Sequence, residues 1–313
     1  MKREFSVLIL FFANPDRLEK VFDQVRKAKP QRLFLYQDGP RMGTNDEEGI
    51  EACRKIVENI DWPCEVHRWY QEKNIGCDPS EYLSQKWAFS FVDKCIILED
   101  DDVPSLSFFT FCAELLDRYE NDERISMIAG MNHEEISTNV PYDYFFTSNV
   151  SIWGWATWKR VIDKWDASYS FLKNQYLAET MKKKMEATQY RKNFLPMLNR
   201  HAVSGIEYYE SILMSYMLLD SGLSIVPTKN MIVNIGYTGG THSNSAFKHL
   251  PKSLKKIYTL KTYELEGDLK HPPYVIEDYG FKERVSKMMG WNDCWLYAFV
   301  KQVYYKLKRT LFK

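Results

Sequence analysis

From Phe5 to about Gly130 the chain alternates short apolar runs with amphipathic stretches of helical period. That alternation predicts an α/β fold with a mainly parallel sheet covered on both faces. Phe5 to Phe12 reads as the first buried strand, and Asn14-Pro15-Asp16 as a helix start with Asn14 as cap and Pro15 in the first turn. The helix places Leu18, Val21, Phe22 and Val25 on one face. Arg32 to Tyr36 is the second predicted strand, ended by the turn chemistry of Asp38-Gly39-Pro40, and a third is expected near Cys64 to Tyr70. Pro79 to Asp93 reads as helix. Lys94 to Leu98 is then a short apolar strand that runs directly into four acids, Glu99-Asp100-Asp101-Asp102. Ser105 to Tyr119 reads as the next helix and Ile125 to Gly130 as a further strand.

The second half is less regular. It holds a tryptophan-rich segment from Trp153 to Trp158, one charged helix expected from about Lys173 to Arg200, and another from Glu207 to Asp220. Leu223 to Val226 and Met231 to Ile235 read as strands that lead into a glycine-rich loop from Gly236 to His242. The last stretch, Trp291 to Lys313, mixes aromatic and aliphatic positions with Lys301, Lys306, Lys308, Arg309 and Lys313. It either lies on an anionic membrane surface or packs on the domain as a helix.

Composition excludes several classes. In 313 residues, 45% hydrophobic content suffices for a buried core. Forty-two basic residues balance forty-two acidic ones, so no net field favours nucleic acid, and specificity has to come from a local site. The six cysteines lack the paired spacings of a zinc site or redox dithiol, and a cytoplasmic location is expected. Met1-Lys2-Arg3 before Phe5 to Ala13 has the outline of a signal peptide, but Glu4 interrupts it and no small-residue cleavage pattern follows. No apolar run approaches a membrane span.

The candidate chemistry centres on the four acids. Ligands of open α/β sheets sit at the carboxyl ends of strands, so a strand running into carboxylates directs them at a site. Adjacent carboxylates repel, and a divalent cation is the simplest compensation; oxygen-only ligands favour Mg2+ or Mn2+ over zinc. The alternative is a solvated turn capping the next helix. Transfer to a hydroxyl needs a base if stereochemistry inverts, and Glu207 and Glu210 are the candidates, although acids are favourable at any helix start. His242 is either a third metal contact, a phosphate partner or an ordinary loop histidine. Trp153, Gly154 and Trp155 form either an acceptor or donor-sugar wall or a packed aromatic core.

At these residues the sequence resembles the GT-A nucleotide-diphospho-sugar transferases, in particular proteins related to glycosyltransferase family two and similar to the N-acetylglucosaminyltransferase I type. The likeness rests on Asn14-Pro15-Asp16, Asp38-Gly39-Pro40-Arg41, Asn74-Ile75-Gly76-Cys77, Ile97-Leu98-Glu99-Asp100-Asp101, Pro104-Ser105 with Phe108-Phe109, Trp153 to Trp158, and Gly222 to Pro227. Together these span most of residues 5 to 245. The resemblance implies a GT-A domain over 1–245 and a partly helical, basic extension over 246–313. It implies that Asn14, Pro15 and Asp38 frame the nucleoside, with Arg41, Asn74 and Gly76 in the same pocket, and that Glu99 and Asp100 face the ribose or donor sugar. Asp101 is implied as metal ligand, with the extra Asp102 leaving the pair of ligands open, and Glu210 as the acid facing the acceptor.

The function expected on this basis is metal-dependent transfer of a sugar, with inversion, from a nucleotide-sugar donor, a UDP-sugar first among them. The acceptor is a hydroxyl of a glycan or lipid-linked glycan in bacterial surface polysaccharide assembly, with peripheral contact at the inner membrane through the tail. A sugar-nucleotide pyrophosphorylase is the second enzymatic reading, although the loop after the first strand, Asn14-Pro15-Asp16-Arg17, lacks the glycine-rich basic pattern. A non-catalytic carbohydrate- or nucleotide-binding scaffold is the third.

Overall fold

The computed structural model describes residues 3–188, 190–191, 193–236 and 252–291. Apolar segments form the centre of the sheet: Ser6–Phe11 (β1) is buried at every position, so helices cover both faces of the strand. Pro15–Ala28 (α1) leads to Arg32–Gln37 (β2), Glu47–Glu58 (α2) to Glu65–Tyr70 (β3), and Cys77–Ala88 (α3) to Lys94–Glu99 (β4). Strands β1 to β4 run parallel in the order β3-β2-β1-β4. The expected strands and helices of this half are present, and α2 is an element the apolar pattern did not predict.

After β4 come Asp102–Pro104 (β5), Leu106–Arg118 (α4), Ile125–Ala129 (β6), Tyr144–Thr147 (β7), Trp155–Trp158 (β8) and the short Lys159–Ile162 (α5). A 3-10 turn at Ser170–Lys173 precedes Gln175–Ala187 (α6), Phe194–Ser204 (α7) and Tyr209–Asp220 (α8). Leu223–Pro227 (β9), Ile232–Asn234 (β10), Lys252–Ile257 (α9) and Tyr279–Met289 (α10) complete the described elements. The sheet continues past β4 as β8-β6-β9-β7, with β8 and β7 antiparallel to their neighbours. The result is a mixed α/β architecture with a mainly parallel central sheet, as the apolar pattern predicts.

Two expectations are corrected. The single helix from Lys173 to Arg200 is two helices: Pro196 has no N–H to give to a continuous helix and is tolerated only in a first turn, so a helix restarts at Phe194, just before it. The second half of the tryptophan segment, Trp155–Trp158, is strand β8, pinned between β4 and β6, so the packed-core alternative holds there. Trp155 and Trp158 are 1% and 2% exposed there.

Residues beyond β10 close the far edge of the sheet. Phe281 and Val285 of α10 pack on Ala129, Phe145 and Val226, and Glu277 bridges to Phe146 of β7. That bridge and the packing of α10 cover part of this edge. Among the described residues no helix is long and apolar enough to cross a membrane.

Candidate carboxylate site at the sheet crossover

The chain steps from β1 to β2 to β3 in one direction, then returns through α3 to lay β4 on the other side of β1. Such a reversal opens a crevice at the carboxyl ends of β1 and β4. Leu10 pairs with Glu99, so the two strands end level. The N–H of Phe12 donates to Asp100 Oδ2 at 3.1 Å and ties the two strand ends together.

Strand β10 pairs antiparallel with β5 and sets Asn234 opposite Asp102. Asn234 Nδ2 donates to Asp101 Oδ1 at 2.7 Å and to Asp102 Oδ1 at 3.1 Å. The Gly154 N–H donates to Asp102 Oδ2 at 2.8 Å, so both oxygens of this fully buried carboxylate are engaged by N–H groups. Asp101 and Asp100 keep partial exposure. Gly236 lies directly on Asp101: a Cβ there would stand 2.0 Å from Oδ2, a close approach that glycine alone permits.

A fifth acid enters from α3. Glu81 is 4% exposed, accepts from Gln85 Nε2 at 3.3 Å and is pushed up to about 8 by burial and by Asp102. Burial, reinforced by Asp101, pushes Asp100 up to about 7. Glu99 and Asp102 are held well above the ordinary carboxylate range, first by burial and then by the acids around them. Arg17 brings a guanidinium to 3.8 Å from Asp101 Oδ2. Repulsion within such a group, in a place with little water, is the physical demand that a cation would meet.

A pH prediction follows from Glu81. Its pKa in the folded protein lies above its ordinary value of about 4.5, so the folded state retains a proton that the unfolded chain releases. The associated stability is complete below that ordinary value and is lost as pH rises through about 8. In chelator, the melting temperature is expected to fall between pH 5.5 and 8.5. Glu81→Gln should flatten that fall and raise the value at pH 8.5 by about 4 °C. A slope unchanged in the variant would show that the buried proton is not there.

On the β2 side, Asp38 accepts from the N–H groups of Gly39 (2.8 Å), Ile75 (3.0 Å) and Gly76 (3.1 Å) and from Asn74 Nδ2 (2.8 Å). It therefore braces the loop bearing Asn74 and Gly76. Arg41 forks onto Asp46 through Nε (2.8 Å) and a terminal nitrogen (2.7 Å) and lies over the ring of Phe12. Asn14 and Pro15 open α1 beside the crevice.

Glu210 stands in the first turn of α8, which packs against α3. Protein surrounds its carboxyl and pushes it up, with Arg191 opposing and Asp78 adding, although much of its own surface remains open to solvent. Open surface makes that push a weak one. Tyr209 is buried, and its phenol is raised first by burial and then by the charges of Glu81, Glu99 and Glu210. Glu207 precedes the helix and acts on Tyr82 of α3. Trp153 is half-buried, with its ring centroid 4.9 Å from that of Tyr258, whose phenol is raised by burial and then by Asp101. Trp155, by contrast, is enclosed in the core and offers no face to a ligand, which corrects its assignment to a sugar wall. His242 lies outside the described residues.

Oxygen donors of this kind suit Mg2+ or Mn2+. Among the described residues no three His, Cys, Asp or Glu side chains form a ready metal cage. That is compatible with a magnesium-type ion, which commonly takes one or two carboxylates and completes its shell with phosphates and water. Asp100 and Asp101 fit that role; Asp102, with both oxygens engaged, fits a brace. Glu81, Arg17, Asn234 and Tyr258 belong to the site and were not singled out from the sequence. The signal for Glu81 was present, since the buried face of α3 carries Ser80, Glu81, Ser84 and Gln85 where a covering helix ordinarily carries apolar residues.

No family model matches the chain, and no curated protein matches it significantly. Among solved structures, a mannosyltransferase from Pyrobaculum calidifontis in complex with GDP-mannose and Mn2+ is 10% identical over 52% of this chain and 47% of that one, with a TM-score of 0.38. The chain thus spans about half the length of that protein. A UDP-glucose pyrophosphorylase complexed with UDP-glucose is 11% identical over 79% of this chain and 100% of that one, with a TM-score of 0.37. A Bacillus anthracis protein assigned as a glucose-1-phosphate thymidylyltransferase, in complex with sucrose, is 8% identical over 84% and 98%, with a TM-score of 0.39. At these identities and scores the likenesses carry no chemistry over to this chain.

Proposed function

We propose that this chain is a metal-dependent glycosyltransferase whose donor, a nucleoside-diphosphate sugar with UDP-sugars first among them, lies in the crevice between β1 and β4. The observation that carries the reading is the group of mutually repelling acids at the sheet crossover, in which Asp102 and Glu81 are buried while Glu99, Asp100 and Asp101 keep partial exposure. Asp101, with Asp100 beside it, would hold Mg2+ or Mn2+. When bound, the ion supplies positive charge for the diphosphate leaving group. Asp102, Asn234 and Gly154 fix the orientation of Asp101 through the bonds described above. Asp38 holds the Asn74–Gly76 loop as one wall for the nucleoside, and Trp153 with Tyr258 offers an aromatic face to a sugar.

Glu210, in the first turn of α8 beside α3, is the base assigned to the acceptor hydroxyl. With a base on the acceptor side the transfer inverts. A glycan or lipid-linked glycan of a bacterial surface polysaccharide is the acceptor class this reading carries. A sugar nucleotidyltransferase could use the same crevice, but it must wrap a triphosphate with the loop after β1. Here that loop has no glycine, Pro15 has no N–H to give, and Arg17 turns inward to Asp101.

The test is product analysis. With Mn2+, one nucleotide-sugar is expected to release its nucleoside diphosphate, faster with a glycan acceptor present. Release of pyrophosphate from a nucleoside triphosphate and a sugar 1-phosphate would replace this reading with the nucleotidyltransferase one.

A further inference from the structure

Arg17 occupies an unfavourable place for a cation. It sits in the first turn of α1, toward the positive end of the helix dipole, and is 7% exposed. Burial of a guanidinium is tolerated only with compensation, and here it faces the carboxylates: Asp101 Oδ2 lies 3.8 Å away, and its charge lowers Asp100 against the effect of burial. Asp100 and Asp101 are the two residues assigned above to the ion, so an ion arriving there meets Arg17 as a like charge.

Resting on that donor-site reading, we propose that Arg17 is the resident counter-cation of the crevice: it pairs with Asp101 before the ion arrives and takes a phosphate of the donor afterwards. With an ion held by Asp100 and Asp101, Arg17 would lose its attraction to Asp101, and its planar, two-pronged guanidinium would take a phosphate of the donor, a geometry that suits guanidinium better than ammonium. One residue thereby links metal occupancy to donor binding. The exchange would also give an order of events in which the metal-free site repels the diphosphate less than its acids alone would.

The signature of this role is a pair of effects opposite in sign. In calorimetry, Arg17→Gln should bind Mn2+ alone about fivefold more tightly, because the like charge is gone. The same variant should bind the nucleoside diphosphate at saturating Mn2+ about thirtyfold more weakly, because the phosphate has lost its partner. Arg17→Lys keeps the charge; it should bind Mn2+ within about twofold of the wild type and still bind the diphosphate about tenfold more weakly. It also serves if the glutamine variant fails to fold. A structural brace would weaken both affinities together, and a bystander would change neither; either result overturns the proposal. If the wild type binds neither Mn2+ nor any nucleoside diphosphate, the donor-site reading fails first and the role of Arg17 falls with it.

Discussion

Asp101→Ala is expected to lower kcat/KM for donor turnover by about a thousandfold or more without loss of the fold. The magnitude follows from removing a carboxylate that holds the ion, since several kcal/mol of leaving-group stabilisation goes with it. The fold should tolerate the change because Asp101 is a source of repulsion as well as contact. Its charge pushes up Glu99, Asp100 and Asp102, and its side chain is 18% exposed rather than sealed in the core. Asn234 Nδ2 loses one acceptor but keeps Asp102 Oδ1. Arg17 loses the Asp101 carboxylate at 3.8 Å but keeps the charge of Asp100, so the loss and the relief of repulsion offset and the melting temperature in chelator should stay within about 3 °C of the wild type while turnover collapses. Wild-type turnover in the variant would remove Asp101 from the chemistry.

A large loss of stability, about 3 kcal/mol or more in urea denaturation, is expected from Gly154→Ala. Gly154 has φ +54, where L side chains are strained, and a Cβ would meet Ile232 Cδ1 at 2.4 Å, Ile232 Cγ1 at 2.7 Å and Leu98 Cδ2 at 3.3 Å. Ile232 is 1% exposed and β-branched, so it has neither space nor rotamers for retreat. Its backbone also matters: Gly154 accepts from the Gly130 N–H at 2.8 Å while donating to Asp102. Displacement there would loosen the brace of Asp102 and, through Asn234, the setting of Asp101. Donor turnover should fall along with stability. A variant as stable as the wild type would show that the 153–155 turn has room the structure does not give it.

The parts of this molecule legible in sequence are those in which one physical signal dominates. Buried parallel strands such as β1 and β4 are unbroken apolar runs, and Leu18, Val21, Phe22 and Val25 mark the inner face of α1 by period alone. The acids after Leu98 were visible because carboxylates rarely follow a buried strand without cause. What stayed hidden depends on contacts between distant segments. Asn234 reaches Asp101 across 133 positions, and only the β5–β10 pairing brings them together. Trp155 shows the reverse difficulty, since an indole in a core strand and an indole in a sugar platform look alike until the ladder with Ile97 and Ala129 is seen. Arg17 carries no sequence mark at all, because a polar residue in a first helical turn is ordinary until its direction is known.

The central claim, that Asp100 and Asp101 hold an ion which in turn holds a nucleoside diphosphate, is tested most directly by thermal shift with UDP, GDP, CDP and dTDP, each with Mn2+ and with chelator. The account predicts that one nucleotide stabilises the wild type only when Mn2+ is present, and that Asp101→Ala loses the effect. Equal stabilisation in chelator, or none by any nucleotide under either condition, would contradict it.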